Sequence, residues 1–228
     1  INSGILSVGS LANGGSTSNI GDSSNAATNL IINGGTLKYT GGVQSTDRLF
    51  GIGSSGGTID SSGSGALTFT NAGSMGFNSQ TGTRTLTLTG SNDTSLAAII
   101  GDNTGATTLT KSGNGIATLS GNNTYTGTTN VNVWTLAVTA NNALGTNAGK
   151  TVVASGATLD LQNVTYSTTE ALSLSGTLKT STGTSTYAGA VTLGANSIFD
   201  IAGTQLTASG IIDDGASSYN VTKNSAGT

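Results

Sequence analysis

Thr83-Arg84-Thr85-Leu86-Thr87-Leu88-Thr89 alternates polar and apolar residues without a break, which puts leucines on one side of an extended chain and threonines on the other. Leu67-Thr68-Phe69-Thr70 and Thr158-Leu159-Asp160-Leu161 repeat the pattern in shorter form. β-Branched residues suit a pleated, half-buried surface. The same reading predicts strands at 29–33, 36–40, 107–110, 115–120, 151–154, 172–174, 191–193 and 197–201. Between them lie turn formers such as Asn33-Gly34-Gly35, Ser55-Gly56-Gly57, Ser112-Gly113-Asn114-Gly115 and Ser155-Gly156, whose Gly and Asn accept the positive φ of tight corners. Residues 96–100 and 142–144 read as helix but are too short to matter. The fold class is all-β.

Composition points the same way and excludes much chemistry. Of 228 residues 36 are Gly, charged residues are only 7%, and Glu170 is the sole glutamate. A helical protein needs more Leu, Glu, Lys and Arg than this. Pro, Cys and His are absent. Disulfides, thiolate metal sites and imidazole catalysis are therefore excluded. Disordered chains are poor in apolar residues and rich in charge, whereas 34% of this chain is hydrophobic. A net charge of −3 offers no basic face for nucleic acid. No run approaches the ~18 apolar residues of a membrane helix, so no membrane insertion of this segment is expected.

Internal repetition separates solenoid from sandwich, barrel and propeller. Ile1-Asn2-Ser3-Gly4-Ile5-Leu6-Ser7-Val8 aligns without gaps on Val131-Asn132-Val133-Trp134-Thr135-Leu136-Ala137-Val138, and Val221-Thr222-Lys223 matches Leu109-Thr110-Lys111. A shorter element, Gly35-Thr36-Leu37-Lys38, returns as Gly57-Thr58-Ile59-Asp60, as Gly156-Ala157-Thr158-Leu159-Asp160 and as Gly176-Thr177-Leu178-Lys179. Its local spacings, near 20 residues, suit one coil of a β-solenoid. At roughly 20–25 residues per coil the chain supplies about nine to eleven coils. A thin column of Leu, Ile and Val is the expected core, with little need for large aromatics.

One stretch carries a family pattern. Leu109-Thr110-Lys111-Ser112-Gly113-Asn114-Gly115 is followed by Leu119-Ser120-Gly121-Asn122-Asn123-Thr124-Tyr125-Thr126-Gly127-Thr128-Thr129 and then by 131–138. It closely resembles the autotransporter-associated β-strand repeat, or passenger-associated transport repeat, with residues 109–138 as the best match. The resemblance implies a right-handed parallel β-helix within a large bacterial secreted or outer-membrane surface protein. Asn123, Tyr125, Gly127 and Thr129 are its structural repeat residues. Where the first copy has Gly4, the second has Trp134. The apolar parity switches there, from Val131 and Val133 to Leu136 and Val138, so a corner or bulge is expected.

Candidate chemistry is sparse. Asp213-Asp214 is a carboxylate pair, but neighbours on a strand point to opposite faces and Lys223 is the only nearby base. A solvated turn is expected there, and no catalytic residue. Asp93 and Asp102 lack the spacing of a calcium loop, so no metal and no cofactor are assigned. Trp134, Tyr39 and Tyr166 are the candidates for a surface-binding face. The leading expectation is a non-catalytic rod, stalk or fibre segment, with 1–228 a single β-helix segment of a longer repetitive protein. An adhesin or carbohydrate-binding face is the alternative, and a polysaccharide hydrolase or lyase comes third. The partners expected are a surface glycan or cell-surface molecule, and either continuation of the same chain or head-to-tail self-association into a filament. That last expectation places residue 1 at the phase of Val131 and residue 228 near the phase of Ile116, with neither terminal coil capped.

Overall fold

The computed structural model describes residues 1–228 and is a parallel β-solenoid of about nine turns. Its only helical element is a 3-10 turn, Ala27–Asn29. Ten parallel strands form one sheet, running from Ile5–Val8 through Arg84–Thr89, Thr107–Lys111 and Thr129–Val131 to Ile212–Asp213. Nine form a second, from Gln44–Thr46 through Ala117–Leu119 and Thr135–Val138 to Val221–Asn224. A third side has strands only in part: Ile31–Ile32 pairs with Gly51–Ile52, and Thr165–Tyr166, Thr184–Tyr187 and Gln205–Ala208 form a three-stranded sheet. The patch 96–100 starts at the end of the strand Thr94–Leu96, and 142–144 is a turn.

Alternation sets the stacking. In the first sheet Leu37, Ile59, Leu88, Lys111, Val131, Val153, Leu174 and Leu193 stand in one register, each above the last. In the second, Leu67, Thr94, Ala117, Leu136, Leu159, Leu178 and Phe199 do the same. The repeat is not constant: 19 residues separate Leu174 from Leu193, and 29 separate Ile59 from Leu88. Outward positions carry Thr and complementary charge, as in Lys38–Asp60 (3.9 Å) and Lys179–Asp200 (2.9 Å), each pair facing across adjacent coils.

Three expectations are corrected. The matching strands Ile5–Val8 and Thr135–Val138 lie in different sheets, and so do Val221–Asn224 and Thr107–Lys111. The phases read for residues 1 and 228 therefore do not hold. Both sheets present the same apolar and polar alternation to the same core, so similar strands do not mark equivalent positions in the coil. The core also contains large aromatics. Tyr39, Phe50, Phe69, Tyr125, Tyr166, Tyr187 and Phe199 are buried, filling a continuous column from Val8 to Leu206.

Candidate functional site

The family-like stretch builds the solenoid's corners. Lys111 occupies a core register, yet its Nζ reaches the corner and donates to the carbonyls of Gly113 (2.8 Å) and Val133 (3.3 Å). Burial pulls its pKa down to about 8, against an opposing pull from Asp93. Asn123 is buried and bridges the coils either side of it: Oδ1 accepts from Ile100 N (2.8 Å) and Nδ2 donates to Ala143 O (2.6 Å). It bonds backbone groups rather than stacked asparagines. Tyr125 is fully buried with its hydroxyl 2.6 Å from Thr129 Oγ1. A Cβ at Gly127 would run into the Thr107 backbone of the preceding coil.

The three aromatic candidates separate sharply. Trp134 is 55% exposed and turns the corner between Thr129–Val131 and Thr135–Val138 with φ +57°. The corners before and after it turn at Gly113 (+83°) and Gly156 (+78°). Tyr39 and Tyr166 are buried and present no ring to solvent. Tyr39 donates to Gly42 O (2.8 Å). Tyr166 stacks on Tyr187 with centroids 5.6 Å apart and planes 7° from parallel. Both face inward because their registers are core registers, a property of the coil rather than of the residue.

Tyr166 belongs to a buried polar cluster whose one trace in the sequence is the uniqueness of Glu170. The Glu170 carboxylate is fully buried without a cation beside it. It accepts from Thr151 Oγ1 (2.9 Å) and Tyr166 Oη (2.8 Å), while Tyr187 Oη donates to the Glu170 carbonyl (2.9 Å). Burial pushes its pKa up to about 7, partly offset by those two side-chain bonds. Tyr125, Tyr166 and Tyr187 are raised as well, chiefly by burial.

Outside this cluster lies the largest concavity of the structure, about 500 Å³, at the place where the third side lacks strands. Residues 123–124, 142, 145–147 and 167–169 form its walls, and no lining residue is hydrophobic or charged. Four aspartates elsewhere accept from backbone N–H groups of turns and corners. Asp213 Oδ1 accepts from Gly215 N and Asp214 Oδ2 from Tyr219 N, both at 2.9 Å. Asp102 holds the N–H groups of Thr107 and Thr126, and Asp93 that of Ile116.

Comparison with known proteins places the stretch. The passenger-associated transport repeat matches residues 109–138. An adhesin autotransporter, BmaC of Brucella suis biovar 1 (strain 1330), is 47% identical over 155 residues, which is 66% of this chain and 4% of that protein. The chain thus spans a small fraction of the curated relative it matches. No solved structure matches. The Lys that caps a corner, the Asn that bridges coils and the Tyr–Thr pair in the core all lie in the stretch, residues 109–138, that matches the repeat of autotransporter passengers.

Proposed function

We propose that this chain is a non-catalytic rod or stalk segment of a bacterial surface protein's passenger. Its similarity to an autotransporter implies a cell-surface or secreted location. The observation carrying the stalk reading is the unbroken parallel stacking of about nine coils around one core, with outward Thr ladders and acids tied into turns. Such an architecture extends a chain without building a reaction centre. Negative-stain images of the intact parent protein test the reading: a rod is expected, and a compact globule overturns it.

A second reading, adhesion, is favoured by the relative's printed name and by Trp134, an exposed aromatic held in a backbone conformation that L residues rarely adopt. Exposed Trp is a frequent anchor of binding interfaces. Cell binding by the purified chain that Trp134→Ala reduces is the expected result, and binding unaffected by that change removes Trp134 from the account.

A further inference from the structure

We propose that the concavity walled by 123–124, 142, 145–147 and 167–169 is a binding site for a neutral, polyhydroxylated ligand, an oligosaccharide chain. The inference goes beyond the stalk reading and does not depend on it. Its volume, about 500 Å³, falls within the range of small-ligand sites. None of its lining residues is hydrophobic or charged, and Thr and Asn carbons share the surface with their polar atoms. A purely apolar ligand would find no aliphatic or aromatic residue to pack on, and an ion no counter-charge. A ligand rich in hydroxyls, each both donor and acceptor, matches such a surface.

The site's polar groups are free to be used. The side chains of Thr124, Asn142, Asn147, Ser167, Thr168 and Thr169 make no hydrogen bond within the chain, in contrast to Asn123, whose amide is fully engaged. The N–H groups of Thr168 and Thr169 are likewise unpaired, because the strand Thr165–Tyr166 ends before them and no strand of the preceding coil runs alongside. Unpaired backbone groups and hydroxyls converging on one concavity are what recognition of a sugar requires, with solvent filling the role meanwhile.

The walls are also held in place. Residues 167–169 form an arch whose two feet are joined underneath: Tyr166 Oη donates to Glu170 Oε2 at 2.8 Å. Tyr166 Oη also lies 3.3 Å from the carbonyl of Gly145, in the facing wall. Gly145, at φ +87°, sits against the Tyr125 ring, where a Cβ would clash. Thr151 and Tyr187 fix Glu170 from the coils on either side. Burying a carboxylate with no cation is costly, and here it stiffens the arch over the polar cluster. A preformed site loses less freedom on binding. With no aromatic platform in the lining, affinity for one site is expected near roughly 1 mM.

The experiment is an ¹H–¹⁵N correlation titration of the 228-residue chain with cellohexaose, laminarihexaose and mannohexaose, and with polygalacturonate as the anionic comparison. Saturable shifts of the Thr168, Thr169 and Asn147 amides with at least one neutral hexaose are expected. Asn147→Ala and Thr169→Ala should each weaken binding about fivefold, an effect of the size of one lost hydrogen bond, with thermal melting unchanged. No shift of those amides with any neutral hexaose to roughly 10 mM overturns the proposal. So does preference for the anionic polymer, and so do shifts centred on Trp134 with the arch unmoved. None of these outcomes bears on whether the parent protein is a rod, which imaging decides separately.

Discussion

Glu170 shows how one side chain can set the pH response of a whole coil stack. Its pKa is about 4.5 in an unfolded chain and about 7 in the fold, where burial disfavours the charged form. Between those values the native chain holds a proton that the unfolded chain releases. Stability is therefore fully present below pH 4.5, falls as pH rises and has lost about 3 kcal/mol above pH 7. The groups facing the carboxyl, Tyr166, Thr151, Tyr187 and Tyr125, are uncharged throughout that window, so none compensates. Glu170→Gln keeps the shape and removes the titration. Denaturant unfolding on both sides of the window should show a drop for the parent chain and little for the variant. Parallel pH profiles for the two would refute the assignment. Trp134 is the residue-scale counterexample, where an unfavourable backbone conformation is tolerated at an exposed corner.

At the scale of the element, the coil's corners and faces contribute unequally. Asn123 satisfies two buried backbone groups on neighbouring coils, Ile100 N–H and Ala143 C=O. Asn123→Ala leaves both without partners, at a cost of about 2–4 kcal/mol. The Lys179–Asp200 pair closes to 2.9 Å, but both partners are in contact with water. Lys179→Ala should cost under about 1 kcal/mol and less still in high salt. Unfolding free energies of the two variants check the ranking. A larger loss from Lys179→Ala than from Asn123→Ala would mean the outward charge ladder, not the corner, holds adjacent coils together.

For the whole molecule, each coil touches only its neighbours, so stability adds along the axis rather than arising from one centre. The central strands, from Arg84–Thr89 to Ala171–Leu174, have paired coils on both sides and fully buried leucines. Residues 209–228 are almost all exposed, although strands there pair with the coil before. Hydrogen exchange should be slowest at Leu86, Leu109, Leu136 and Leu159 and faster by orders of magnitude beyond residue 209. The loop 9–30 should be intermediate. Arg48 lies buried beneath it and donates to the carbonyls of Ala12, Ser23 and Gly21 at 2.8–2.9 Å. Uniform protection along the chain would contradict an additive solenoid.

The alternation in 83–89, 158–161 and 197–201 was enough to identify strands. Spacings near 20 residues identified a solenoid, because stacking requires like residues at like phase; Leu37 over Ile59 and Leu159 over Leu178 are such pairs. The repeat at 109–138 and the corner at Trp134 were legible for the same local reasons. What the sequence could not settle is which sheet each strand joins. A strand's pattern says that one side is buried, but the sheet it enters depends on the lengths of the corners before it. Ile5–Val8 and Thr135–Val138 therefore read alike and lie apart. Burial of Tyr39 and Tyr166, and the meeting of Thr151, Tyr166, Glu170 and Tyr187, also exist only in the stacked coils. Thr151, Glu170 and Tyr187 come from successive turns 19 and 17 positions apart, and only the closed fold brings them within hydrogen-bonding distance.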